Sequence, residues 1–427
     1  MTKLIVLIVI ILGVIAIAQL VRMYELSSKL RGRREEDIPN RDNRLNATLL
    51  LVFMFAFFAS VLYLFVEYGF TGRGEAASVH GKQTDWLLDL NLWIIIAVFF
   101  LTNTLLFGFA FKYVRKPGVK AYWFPHDNRL ELVWTVVPAI VLAVIIILGL
   151  KSWNEQTDNA SKEAIRIELF SKQFDWTVRM SGDDNTLGYF DYKLTNDNNP
   201  LALLTTKTIQ DAIDSMENGS TSGIHALEAK LNDPKKIFVP EDHELMVKDL
   251  ARKERMLRML YQLKARHNSA LDARALDDIV FNANDTLFLC KNQEYEFNFR
   301  AKDVIHSAYF PHFRAQMNTV PGQTTRFKFT PTITTAEMRD KMHNPKFNYV
   351  LMCNKICGSS HYKMKLMVVV LDKPAYKKWY AKVSKLDPKA ADACKTFRNI
   401  YAVGKPKAAA PADSTAVAAK DSAAVAM

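Results

Sequence analysis

Cysteine is scarce in this chain: 427 residues hold only Cys290, Cys353, Cys357 and Cys394. So few thiols give no disulfide framework. No Cys-x-x-Cys-His is present, which excludes a fused c-type haem, and no cysteine near the N-terminus offers a lipid attachment site. From residue 403 aromatics are absent as well. That Ala-, Lys-, Pro- and Ser-rich tail cannot bury enough surface to order itself, so 403–427 is expected to be disordered.

Charge is missing from four stretches, residues 4–21, 47–66, 90–111 and 132–150, each near the ~20 residues a membrane-crossing helix needs. Four spans are therefore expected, with a signal peptide the rival reading of the first. Basic residues decide between these. Arg22, Lys29, Arg31, Arg33, Arg34, Arg41 and Arg44 follow the first run, and Lys112, Arg115, Lys116, Lys120 and Arg129 follow the third. Positive loops stay in the cytoplasm, so the link between the second and third runs, and everything after Lys151, is expected outside. A cleaved signal peptide would export the first basic stretch against that rule. The formal charge of +12 is accounted for mostly by this topology rather than by nucleic-acid binding.

Beyond residue 165 the pattern changes to short alternations. Tyr295, Phe297 and Phe299 alternate with polar residues, as do Phe327 and Phe329, which marks half-buried strands. Several such strands suggest a Greek-key β-sandwich. Between 186 and 285 strand signals are few, and a helix is expected from 240 to about 267. Leu245, Leu250, Leu257 and Leu260 fall roughly on one side of it. A solvated excursion is expected there in preference to a partner-binding element.

Cys353-Asn354-Lys355-Ile356-Cys357-Gly358-Ser359-Ser360-His361-Tyr362-Lys363-Met364 lies between two strand-like runs, 347–352 and 364–371, and His306 follows another strand. Soft sulfur with imidazole selects copper. A mononuclear blue-copper site would use one cysteine, so the second thiol points to a dinuclear centre with bridging thiolates. A disulfide is the competing reading of Cys353 and Cys357 in an oxidising compartment. His312 and His343 read as packing or surface histidines, and Cys290 and Cys394 as inert.

Asp303-Val304-Ile305-His306-Ser307, Val320-Pro321-Gly322 and the loop Cys353-x3-Cys357-Gly358-x2-His361-x2-Met364 resemble subunit II of the haem-copper cytochrome c oxidases. The stretch from Asn128 through Glu131 and Trp134 to Pro138 resembles the start of that family's second span. The resemblance implies a cupredoxin fold and a CuA centre, with Cys353 and Cys357 bridging two coppers. His306 and Met364 complete one copper; His361 and the carbonyl of Lys355 complete the other. It further implies that haem and further copper sit in a partner catalytic subunit I, that subunit III is a neighbour, and that electrons come from a c-type cytochrome or a cytochrome-containing complex. Phe174 and Trp176 are implied as the place where electrons enter, and Glu131 as the mouth of a proton pathway. The rival reading of the aromatic pair is core packing, and that of Glu131 is a carboxylate favoured by a helix dipole.

The domains expected are an extra helix pair (1–70), the family hairpin (71–155), a periplasmic cupredoxin domain (156–402) with an insertion at about 186–285, and the tail, on a bacterial inner membrane. The chain departs from the family where Lys355 replaces a magnesium-holding glutamate, where Gln316-Met317-Asn318 replaces Lys-x-Asp, and where Phe174 replaces a tryptophan. A copper carrier with the same ligands, or a quinol-oxidase subunit, are the other classes. The split ligand set speaks against the first, and the complete ligand set against the second.

Overall fold

The computed structural model describes residues 2–30, 39–69, 72–116, 118–196, 198–281 and 286–384; the tail, Cys394, Arg31, Arg33 and Arg34 lie outside them. The chain divides into two units, Met1–Gly74 with Leu88–Ile145, and Glu75–Leu87 with Ile146–Met427.

The uncharged runs become helices α1 (Thr2–Leu30), α2 (Asn40–Tyr68), α3 (Val79–Lys112) and α4 (Asn128–Thr157). The last three, with 29, 34 and 30 residues, are long and apolar enough to cross a membrane. At a rise of ~1.5 Å per residue each exceeds the ~30 Å hydrocarbon core. Within this unit Phe53, Phe57 and Phe58 of α2 meet Phe99, Phe100 and Phe107 of α3 through edge-on or tilted rings, with centroids 4.7–6.1 Å apart. Aromatic pairs in such geometry add to the packing of two otherwise featureless apolar helices.

The other unit is a sandwich of ten strands: β1 (Ile165–Lys172), β2 (Asp175–Met180), β3 (Ile279–Phe281), β4 (Thr286–Cys290), β5 (Tyr295–Ala301), β6 (His306–Phe310), β7 (Ala315–Thr319), β8 (Thr325–Phe329), β9 (Tyr349–Cys353) and β10 (Lys365–Leu371). One sheet runs β3-β2-β1-β5-β8 and the other β4-β10-β9-β6-β7. The pairs β1/β5 and β4/β10 are parallel, so the chain passes between sheets rather than meandering within one. Inward residues of both sheets share a single core in which Tyr295, Phe297 and Phe299 are wholly buried. The alternating pattern did mark that face.

On the opposite face the alternation fails at Arg300, which is buried. The segment between β2 and β3 covers it, with helices α5 (Thr206–Asn218), α6 (Ile224–Leu231), α7 (Pro240–Arg266) and α8 (Ala273–Leu276). Two small cores form here, one around Phe170, Leu201, Leu203, Ala275 and Val280, the other around Leu194, Ile209, Ala212, Ile213 and Leu260. The expectation of a solvated excursion is therefore corrected. Only the later part of α7 packs: Leu260 is fully buried while Leu245 is 58% exposed. Arg179 ties the excursion to the sheet, reaching Glu168 at 2.5 Å, Asp278 at 2.7 Å and the Gly188 carbonyl at 2.9 Å. Arg300 also pairs with Glu168 and donates to the Leu201 carbonyl at 2.9 Å. Helices α9 (Thr335–Lys341) and α10 (Lys373–Ser384) complete the unit.

Candidate metal centre

Strand β6 begins at His306 and its antiparallel neighbour β9 ends at Cys353, so pairing alone brings imidazole and first thiol to one end of the second sheet. The ladder then runs on into the loop. Asn354 N–H donates to the Ser307 carbonyl at 3.1 Å, and Cys353 N–H to the Met364 carbonyl at 3.0 Å. A short 3-10 turn, His361–Lys363, carries the second imidazole back towards β10.

The side chains converge. The two cysteine Sγ atoms are 3.9 Å apart, His306 Nδ1 is 4.0 Å from that of Cys353, and His361 Nδ1 is 3.5 Å from that of Cys357. Met364 Sδ stands 3.9 Å from Cys357 Sγ, and the Lys355 carbonyl 3.2 Å from Cys353 Sγ. Donors about 2.0–2.3 Å from one first-row metal ion in tetrahedral array lie roughly 3.3–3.8 Å from each other, within a few tenths of an ångström of the separations here, and His306, Cys353 and Cys357 place their donor atoms within 4.8 Å of one another. A disulfide would need an S–S distance of about 2.05 Å, and both cysteines are free here. Burial first, then the neighbouring Cys353, pushes the Cys357 thiol up to about 11. That shift favours the neutral thiol at Cys357, and a cation beside the sulfur would reverse it. The set of soft donors and imidazoles suits such a cation.

Supporting residues fix this geometry. His306 is fully buried, and its Nε2 lies 2.9 Å from Asp303 Oδ1, leaving Nδ1 towards the sulfurs. Such a carboxylate orients a ligating ring and sharpens its basicity. Burial alone would raise Asp303, but the Gln173 and Val304 amides and His306 outweigh it and hold the carboxyl below its usual range. Gln173 links the two parts of the site, its N–H donating to Asp303 Oδ2 at 2.7 Å and its Nε2 to the Cys357 carbonyl at 2.6 Å. Neither role was foreseen, although an aspartate three residues before a ligand histidine was a readable signal.

Phe174 is half-buried against Gly358, and Trp176 is wholly buried with its ring 6.3 Å from that of His306. Trp176 thus stands among the core residues, and Phe174 nearer the surface. Gln316 accepts from Asn354 Nδ2 at 3.2 Å and donates to Ser307 Oγ at 3.1 Å, so a neutral link stands where the family has a charge. His312 packs on Phe347 and Tyr349, His343 is exposed, and Cys290 is buried. Glu131 belongs to the other unit, in the first turn of α4, 3.9 Å from His126 Nδ1. Asp127 accepts from the Arg129 and Leu130 amides at 2.9 and 3.1 Å and so caps that helix.

Fold and site together define a membrane-anchored β-sandwich protein with a sulfur–imidazole metal loop. Residues 66–152 match the model of the cytochrome c oxidase subunit II transmembrane domain. The alternative cytochrome c oxidase subunit 2 of Bradyrhizobium diazoefficiens is 22% identical over 333 residues, covering 78% of this chain and 90% of that protein. The cytochrome c oxidase subunit 2 of Thermostichus vulcanus is 24% identical over 309 residues, covering 71% and 76%. Among solved structures, the periplasmic domain of a Bradyrhizobium japonicum cytochrome oxidase subunit II is 16% identical with a TM-score of 0.21, covering 25% of this chain and 78% of that one. The chain is a homologue of subunit II of cytochrome c oxidase, a haem-copper oxidase complex.

Proposed function

We propose that this chain is the subunit through which electrons enter a proton-pumping haem-copper oxidase. The convergence of two free thiols, two imidazoles, a thioether and a backbone carbonyl, neighbours 3.2–4.0 Å apart, carries this reading. Cys353 and Cys357 would bridge two coppers, with His306 and Met364 on one and His361 and the Lys355 carbonyl on the other. When bound, such a pair supplies a one-electron centre whose charge is shared over both metals. The chain's part is to keep the donors still: the Asp303–His306 pair, the Gln173–Cys357 bond and the strand ladder hold each at one position in both oxidation states. Lys355 keeps its side chain exposed, so its charge does not enter the donor set.

A c-type cytochrome, alone or within a respiratory complex, gives the electron near Phe174, with Trp176 packed behind against His306. Haem in subunit I receives it, with subunit III alongside, and Glu131 opens a proton path. The organisation proposed with it is an additional helix pair including α1 as a fourth span, the hairpin, and a periplasmic cupredoxin domain carrying an insertion, on a bacterial inner membrane. Replacing Cys357 by Ser tests the proposal. Cytochrome c oxidation by the purified complex should be abolished while the chain still inserts and assembles; retained oxidation refutes a role for the thiolate pair.

A further inference from the structure

Lys82, Trp86 and Leu87 of α3 and Leu148, Lys151 and Glu155 of α4 line a cleft of about 340 Å³. Its lining combines two leucines with charged side chains. The uncharged run of α4 ends at Leu150, directly before Lys151, and that of α3 begins at Leu90, eight residues after Lys82. At ~1.5 Å per residue, Lys151 stands at the edge of the hydrocarbon and Lys82 about 12 Å beyond it. The headgroup layer is roughly 5–8 Å thick on each side, within reach of a lysine stem bending back towards it. Trp86 and Trp153, 58% and 54% exposed, mark the same level, as interfacial tryptophans do. Of the two nearby acids, Asp85 is engaged with Arg314 at 2.9 and 3.2 Å. The two lysines are thus left to face an anion, with Glu155 one helical turn further out.

We propose that this cleft holds one glycerophospholipid, its phosphate against Lys82 and Lys151 and an acyl chain along Leu87 and Leu148. The phosphodiester is common to ethanolamine and glycerol lipids, and Glu155 separates them, because its carboxylate accepts an ammonium and repels a second anion. The site depends only on the membrane hairpin, not on the metal reading, so the two proposals fail separately.

Native mass spectrometry of the intact complex, purified in mild detergent and then exchanged against phosphatidylethanolamine or phosphatidylglycerol, tests this. The unaltered complex should retain one phospholipid per copy of this chain, with the ethanolamine form favoured. Lys82→Gln with Lys151→Gln should weaken retention about 25-fold, roughly fivefold for each charge near a membrane surface. Lys82→Arg with Lys151→Arg should keep the lipid, and Glu155→Gln should move the preference towards phosphatidylglycerol. Absence of lipid from the unaltered complex, equal retention in the glutamine variant, or loss in the arginine variant would each overturn the site. An unmoved preference in Glu155→Gln would overturn the role of Glu155.

Discussion

Gly358 follows Cys357 and carries φ +138°, a conformation that L side chains rarely adopt. A Cβ there would come within 2.9 Å of the Phe174 ring and 3.0 Å of Gln173 Nε2, the atom that binds the Cys357 carbonyl. Gly358→Ala therefore combines two costs. Backbone strain contributes about 1–3 kcal/mol, and displacement of Gln173 loosens the cysteine peptide. If the strain falls on the metal-loaded loop, copper affinity drops about 5- to 150-fold, tenfold for each ~1.4 kcal/mol. Competition against a copper chelator in the purified complex measures this directly. Adding Phe174→Ala removes the clash with the ring but not the strain. The double variant is therefore expected to recover only part of the loss. Copper affinity unchanged by Gly358→Ala would refute the claim that this glycine shapes the loop; full recovery in the double variant would assign the whole effect to the ring.

Arg179 holds two carboxylates that are at most 3% exposed, so Arg179→Met leaves buried charge unpaired. The cost should be about 3–5 kcal/mol, or a midpoint lower by roughly 6–20 °C in a domain of this size, followed by thermal unfolding. Desolvation raises Asp278 from 3.8 to about 6, against the opposing pull of Arg179, and its Oδ1 is buried without a partner. The folded state thus holds a proton there that the unfolded chain releases from about pH 4. This group's contribution to stability falls as pH rises towards 6 and is level above. Asp278→Asn should flatten that slope in denaturant titrations across pH 4–7. Glu168 acts in the opposite sense: Arg179 and Arg300 outweigh its burial and keep it below the usual glutamate range, so its contribution is lost only at lower pH. Glu131→Gln is expected to slow turnover and proton uptake; unchanged turnover would leave only its interaction with the helix dipole.

The sulfur–imidazole loop was legible because its four side chains are close in sequence and differ chemically from their surroundings. Spacing named Cys353, Cys357, His361 and Met364, the family resemblance named His306, and the antiparallel register of β6 and β9 brings His306 beside Cys353. Three of the four expected spans were equally plain, since long uncharged runs have few alternatives in water. What escaped was long-range polar chemistry. Glu168 and Arg300 are 132 residues apart, and Arg179 and Asp278 are 99 apart. Each alone reads as an outward charge on a strand or loop. Only when the excursion folds over the sheet do they become a buried cluster, and this inverted the expectation of a solvated insertion. Helix α7 misled for a related reason: its leucines trace a stripe, but the partners α5 and α6 cover only part of its length.

Copper analysis combined with electron-spin resonance of the intact, oxidised complex tests the central reading most directly. Two coppers for each copy of this chain, with one unpaired electron spread equally over both, are expected from thiolates 3.9 Å apart with a histidine beside each. One copper per chain, a spectrum of a single localised copper, or a Cys353–Cys357 disulfide in the working enzyme would contradict it.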